Sequence, residues 1–184
     1  MLRIGAAGIF VLLLSSLGFA QIPGGNVFFG YSYLNVDQST GGRGSLNGWN
    51  ASVEGKVFPL LGLVGDFSGH YGSQDYPTVC ATTLEFPCHL DASTHNFLFG
   101  PRLSVSVGKF RPFANILIGA SHTSGSGNGV NISDTSFAYA IGGGLDYHLI
   151  PLISWRIQGD MLQTRFFGDT QSNARISTGI VVHF

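Results

Sequence analysis

The chain has 184 residues and a formal net charge of −1, with only 10% charged residues, 27 glycines and a mean hydropathy of +0.26. Soluble domains carry about 25% charged residues, so this composition argues against an ordinary soluble protein, whose surface needs more charge. The nearly neutral chain gives no sign of the basic surface by which proteins bind nucleic acid, and no nucleic-acid partner is predicted.

Residues 1–20 have the pattern of a secretory signal peptide. Arg3 supplies a positive start, an uncharged and largely apolar run follows, and Gly18 and Ala20 place small residues at the −3 and −1 positions of a cleavage site. The apolar run is too short for a membrane-spanning helix with anchored flanks, which disfavours a retained anchor. We therefore predict export, cleavage after Ala20 and a single mature domain over 21–184.

Beyond this leader, eight segments alternate apolar and polar residues with a period of two, the spacing of a strand with two different faces. In the second segment, Trp49 and Val53 fall on one face while Asn50 and Glu54 fall on the other. In chain order the predicted strands are 27–36, 47–57, 62–71, 94–107, 112–122, 136–147, 154–164 and 174–184. Their lengths suit a tilted membrane crossing, which takes about 9–11 residues, whereas strands of soluble proteins usually have about five or six.

The connections between these segments alternate between long and short. Tight turns follow the second, fourth and sixth strands, and the long loops are predicted at 37–46, 72–93, 123–135 and 165–173. This alternation is typical of transmembrane barrels with short periplasmic turns and long external loops. The sequence therefore predicts an all-β fold, an eight-stranded antiparallel up-and-down transmembrane β-barrel with both termini on the periplasmic side.

The charged residues within the predicted strands fall on the face opposite the aromatic and branched residues. They are Glu54, Lys56, Asp66, Arg102, Asp146, Arg156, Asp160 and Arg175. A soluble lipocalin-like barrel would share this period, but the export signal, the strand lengths and the aromatic residues near strand ends favour a membrane barrel. The lumen of eight strands is just wide enough for side chains. A formal sum of zero therefore predicts a paired network that plugs the lumen, and the alternative is a charged lining of a narrow channel.

Cys80 and Cys88 lie eight positions apart in the second long loop. In an exported protein such a pair predicts a disulfide, because the bacterial periplasm is oxidising. Free thiols or a metal site are the alternatives, although only His89 is adjacent and a metal site needs more ligands at suitable spacing.

The sequence gives little indication of an enzyme. His122 lies beside Ser121 and near Ser124, with Asp134 in the same predicted loop, and these are the residue types of a base, a nucleophile and an acid. Nothing in the spacing shows that they meet, and the polar rim of a barrel has the same appearance. No catalytic residue, metal site or cofactor is predicted.

Five segments carry a loose family pattern: FFGYSYLNV, FRPFANILIGAS, FAYAIGGGLDYHL, ISWRIQGDMLQTRF and RISTGIVVHF. In them the chain resembles the outer-membrane-protein-A-like and opacity-protein-like β-barrels, over nearly all of 21–184. The resemblance implies a place in the outer membrane, in contact with its lipid and lipopolysaccharide. It also implies that the barrel assembly machinery reads the last strand, which ends in Phe184 after Ile180 and Val182. Some small barrels of this membrane modify lipid A with a His and a Ser.

The predicted function is that of a non-enzymatic outer-membrane barrel with a plugged polar lumen, acting in membrane structure or in surface interaction through its four loops. The alternatives are a narrow porin-like channel and, less favoured, a lipid A-modifying enzyme. Because the loops carry more acids than bases, a surface ligand is expected to be basic or bridged by divalent cations, and to bind more weakly in high salt. The acids are Asp37, Asp75, Glu85, Asp91, Asp134 and Asp169, and the bases are Arg43 and Arg165.

Overall fold

A computed structural model describes residues 24–37, 43–76, 88–127, 130–166 and 169–184 as one closed barrel in which each strand is hydrogen-bonded to its neighbours in sequence. All the pairings are antiparallel, and β1 pairs with β8 to close the sheet. The strands are β1 Gly25–Asp37, β2 Arg43–Lys56, β3 Leu61–Tyr76, β4 Cys88–Ser104, β5 Phe110–Gly127, β6 Val130–Ile150, β7 Ile153–Phe166 and β8 Asp169–His183. Across these ranges, no helix is both long and apolar enough to cross a membrane. The predicted fold class is confirmed.

The two faces of the barrel differ as the period-two pattern requires. Phe28 is 0% exposed and points into the lumen, whereas its neighbour Phe29 is 64% exposed on the outside. Large apolar side chains lie exposed around the outer face, among them Phe67, Phe99 and Ile118. So many exposed apolar side chains on one surface are rare on soluble monomers, whereas in a bilayer such a surface faces lipid. This ring of exposed apolar side chains, here called the outer belt, is therefore the membrane-facing surface.

The strands extend further at the loop end than the sequence predicted. The predicted loop 123–135 is almost entirely strand, since β5 and β6 stay paired from Thr123 and Asp134 to Gly127 and Val130. Parts of the predicted loops 37–46, 72–93 and 165–173 likewise belong to β2, β3, β4, β7 and β8. A segment rich in Ser, Gly and Asn has a low strand propensity on its own. Here the backbone hydrogen bonds between two strands that are already paired extend both strands outward. The external ends are thus projecting hairpins.

The opposite end is closed by tight turns and by the meeting of the two termini. Gly25 N donates to Phe184 O at 2.9 Å, and Phe184 N donates to Gly25 O at 3.1 Å, which completes the β1–β8 seam. Gly108 takes a φ of 60° in the turn between β4 and β5, a backbone conformation that favours glycine. Pro101, which has no backbone N–H to donate, interrupts the pairing of β4 with β5 without changing its register.

The close approach of β8 to β1 at the seam can be tested by substituting two glycines of different surroundings. A Cβ at Gly179 would lie 2.3 Å from the Phe29 oxygen and 2.4 Å from the Gly30 Cα, whereas a Cβ at Gly159 meets nothing within 4 Å. We expect Gly179→Ala to lower the free energy of unfolding by about 1–3 kcal/mol through overpacking. Gly159→Ala should change it by less than about 0.5 kcal/mol. Urea unfolding in detergent micelles measures both, and equal effects would contradict the seam geometry.

Candidate functional site in the barrel lumen

Most of the predicted charged residues are buried inside the barrel lumen. Glu54, Asp66, Arg102, Asp146, Arg156 and Arg175 are 0% exposed, and Asp160 is 3% exposed. Lys56 differs from them, because it is only partly buried at the end with the short turns, the periplasmic end in this class of barrel. Its ammonium donates to the Pro59 carbonyl at 3.1 Å and to Ser104 Oγ at 2.9 Å.

A first group of charges lies near the periplasmic end and is centred on Glu54. This carboxylate accepts from Arg111 Nη2 at 2.7 Å, Arg102 Nη1 at 3.3 Å and Asn26 Nδ2 at 2.8 Å. Bonds from three strands thus converge on one acid inside the lumen. Charge-assisted hydrogen bonds of this kind are about twice as strong as neutral ones, so Glu54 ties β1, β4 and β5 to β2.

Arg111 is the lumen charge that sequence reasoning missed. The Gly108-Lys109-Phe110-Arg111 stretch was expected to be a turn, but β5 begins at Phe110 and leaves Arg111 only 5% exposed inside the barrel. The predicted lumen charges therefore do not sum to zero, because Arg111 adds a fifth base to their four acids. The alternation of Arg111, Phe113 and Asn115 with outward-facing residues was the signal that could have revealed it.

Arg156 of β7 and Asp146 of β6 form a bidentate ion pair. Arg156 Nε donates to Asp146 Oδ1 at 2.6 Å, and its Nη2 donates to Oδ2 at 2.8 Å. Its guanidinium carbon lies 4.6 Å from the ring centroid of Phe113, and that of Arg102 lies 4.3 Å from the same ring. The aromatic ring thus packs against two cations and adds cation–π attraction to the ionic one.

A second group of charges lies further along the lumen and is centred on Arg175. Its Nη1 donates to Asp66 Oδ1 at 2.7 Å, and its Nη2 donates to Asp160 Oδ2 at 2.9 Å. Asn50 Nδ2 donates to the second oxygen of Asp66 at 2.9 Å, and Gln158 Nε2 donates to Asp160 at 3.2 Å. Asn115 Nδ2 donates to the other oxygen of Asp160 at 3.4 Å. One guanidinium and three amides therefore share two carboxylates, a group with one excess negative charge.

The lumen also contains an apolar cluster that the predicted polar network did not include. Leu34, Leu46, Leu98, Leu117 and Leu162 are each at most 3% exposed and pack together on the inner faces of five strands. With the charged groups they occupy the interior of the barrel. The lumen is a mixed core rather than a uniformly polar one.

Ser121 and His122, two of the residues considered for catalysis, face opposite sides of the barrel wall. Ser121 points into the lumen, where its hydroxyl donates to Asn96 Oδ1 at 2.7 Å. His122 is the next residue in β5 and so faces outward, where Nδ1 hydrogen-bonds to Thr135 Oγ1 at 2.7 Å. Ser124 hydrogen-bonds to Ser93 at 2.8 Å. Neighbouring strand residues point to opposite faces, so His122 and Ser121 are not a base and its nucleophile.

Two further predictions concern residues at the edges of the described structure. Cys80 lies outside the described residues and Cys88 begins β4, so the disulfide stays a prediction. Ile180 and Val182 lie on the outer face of β8, and Phe184 follows at its periplasmic end; the three are 44%, 48% and 61% exposed. Their reading by the assembly machinery also stays a prediction.

The closed eight-stranded sheet, the apolar outer belt and the filled lumen define the chain as a transmembrane β-barrel of the outer-membrane type. Solved structures of this type superpose on it. Neisserial surface protein A gives a TM-score of 0.69 at 11% identity, covering 87% of this chain and 97% of that one. Ail, the attachment invasion locus protein of Yersinia pestis, gives 0.62 at 16% identity, covering 88% of this chain and 98% of that one.

A third similar structure is OprG of Pseudomonas aeruginosa, with a TM-score of 0.55 at 10% identity over 88% of this chain and 95% of that one. No protein-family model and no curated protein matches the sequence. At such low identities the likeness establishes the fold, the small eight-stranded barrel that the sequence analysis expected.

Proposed function

We propose that the protein is an exported, non-enzymatic outer-membrane barrel whose lumen is closed by its own side chains and whose external hairpins interact at the cell surface. One observation supports the closed lumen above the others. Hydrogen bonds cross the interior between strands that are not neighbours: Arg175 of β8 reaches Asp66 of β3, Arg111 of β5 reaches Glu54 of β2, and Gln158 of β7 reaches Asn50 of β2.

Such crossing bonds oppose ion conduction for a physical reason. A pore of open water would leave each charge on its own wall, solvated and with no need of a partner on the far side. Here the charges are buried, and separating a buried ion pair is expensive unless water replaces its partner. An ion passing through would have to break both charged groups and displace the leucine cluster between the walls.

Planar-bilayer recording of the refolded protein tests the closed lumen. We expect no discrete conductance steps, because every passage must break buried ion pairs, while a porin reconstituted in the same lipid serves as the positive control. Steady unitary currents whose ion selectivity changes in an Arg175→Gln variant of normal stability would instead support the narrow channel.

The external hairpins support the surface role. β5 and β6 have 18 and 21 residues, whereas a tilted strand crosses the bilayer in about 9–11, so the β5–β6 hairpin extends well beyond the membrane. Ail was crystallised with a heparin analogue, a sulfated polyanion. The acidic excess in the outer segments of this chain favours a basic or divalent-bridged partner instead.

Export and assembly complete the proposal. A leader cleaved after Ala20 would deliver the mature chain to the periplasm. The end of the last strand, with Ile180, Val182 and Phe184, would then engage the assembly machinery. Contact with lipopolysaccharide follows from the position of the outer belt and hairpins in the membrane.

A further inference from the structure

The periplasmic end of the lumen opens into a cavity of about 410 Å³, here called the periplasmic mouth, whose wall includes Asn26, Lys56, Arg111, His183 and Phe184. Its charged side chains are the cations Lys56 and Arg111, with His183 beside them. The rest of the wall is glycine and apolar, from Val57, Phe58 and Pro59. A concave, mainly apolar wall with a few convergent polar groups is the usual form of a small-ligand site.

The two cations of this mouth share a hydrogen-bond acceptor. Lys56 Nζ and Arg111 Nη2 each donate to the same oxygen, Ser104 Oγ, at 2.9 Å. Glu54 lies behind them and accepts from Arg111, but it is shared with Arg102. Two like charges on one hydroxyl repel each other, and an anion between them would turn that repulsion into attraction.

Charged residues deeper in the lumen add to the excess of positive charge at this end. Four cations, Lys56, Arg102, Arg111 and Arg156, stand against two carboxylates, Glu54 and Asp146. Two of the arginines also retain donor atoms with no hydrogen-bond partner among the described residues, namely Arg102 Nε and Nη2 and Arg156 Nη1. Both side chains are 0% exposed, and buried donors left unpaired are costly. Among the described side chains, the periplasmic half of the lumen therefore has more positive than negative charge and too few acceptors for its buried donors.

We propose that the periplasmic mouth binds a phosphate group, either free or carried on a glycerol headgroup. Phosphate oxygens accept several hydrogen bonds and match the planar fork of a guanidinium. Lys56 and Arg111 make the first contacts, and the positive charge of Arg102 and Arg156 behind them attracts the anion inward. The apolar wall beside them leaves room for the glycerol of a headgroup.

Ligand-dependent unfolding of the refolded protein in a non-ionic detergent tests this site. At constant ionic strength, inorganic phosphate should raise the unfolding midpoint saturably relative to chloride, because a ligand that binds only the folded state stabilises it by mass action. Lys56→Met should weaken the phosphate affinity by about tenfold, the loss expected for one charge-assisted hydrogen bond. Lys109→Met is the matched control, since Lys109 is an exposed cation in a turn at the same end and should change nothing.

The same titration with glycerol 3-phosphate separates the two sources of the anion. Tighter binding than inorganic phosphate would assign the site to a headgroup, and equal binding would assign it to free phosphate. No saturable stabilisation by either probe would overturn the proposal. So would equal weakening by Lys56→Met and Lys109→Met, which would reduce the effect to general attraction by surface charge.

Discussion

Arg175→Ala is expected to lower the free energy of unfolding by about 3–5 kcal/mol, the range measured when one member of a buried ion pair is removed. The guanidinium bridges Asp66 and Asp160 at 2.7 and 2.9 Å, and all three side chains are 0% exposed. Without it, two carboxylates of like charge remain buried with only amide donors. Urea unfolding in detergent micelles, followed by tryptophan fluorescence, measures the change.

Neutralising the whole group should recover part of this loss. The triple variant Arg175→Met, Asp66→Asn, Asp160→Asn removes all three charges at similar size, so no carboxylate is stranded, and its stability should exceed that of Arg175→Ala alone. Lys109→Ala, in an exposed turn, should alter stability by less than about 0.5 kcal/mol. If Arg175→Ala behaved like Lys109→Ala, these residues would be solvated and the closed lumen would be wrong.

Glu54→Gln should have an effect of similar size at the other end of the lumen, about 3–5 kcal/mol. The amide keeps the shape of the side chain but loses the charge that holds Arg102 and Arg111. The four cations there would then face Asp146 as the remaining acid among the described residues of that group. Urea unfolding at low and high salt measures the loss, which should change little with salt, because buried charges are screened much less than exposed ones.

A double-mutant cycle identifies the pair behind that loss. Adding Arg111→Gln to Glu54→Gln removes one of the stranded cations, so the double variant should be more stable than the sum of the two single changes predicts. Simple additivity would mean that Glu54 and Arg111 do not interact in the folded barrel, against their distance of 2.7 Å.

The strand faces could be predicted because they depend only on local geometry. A side chain at Phe28 or Phe29 is directed inward or outward by the pleat alone, and the lipid then selects which face is apolar. The alternation of short and long connections gave the number of strands for a similar reason, because a hairpin turn and a polar loop have different compositions.

Elements whose boundaries depend on a partner strand were harder to predict. Arg111 looked like part of a turn because it follows Gly108 and Lys109, yet pairing of Arg111 with Asp146 places it in β5. The outer segment 123–135 looked like a loop because it is rich in Ser and Gly, yet β5 and β6 hold each other in register through it. Composition describes the isolated segment, whereas the ladder belongs to two segments together.

The sequence by itself determined the class of barrel. It predicted eight strand charges on the inner face with Lys56 among them, whereas the structure leaves Lys56 partly buried at the periplasmic end. Only the tertiary structure decided which acid meets which base. Arg175 and Asp66 are 109 positions apart, and they meet because closure of the β1–β8 seam brings β8 and β3 to face each other across the lumen. The same closure places Lys56, Arg102, Arg111 and Arg156 at one end of the lumen. This local excess of positive charge depends on how the strands are staggered against each other, which the sequence of one strand does not specify.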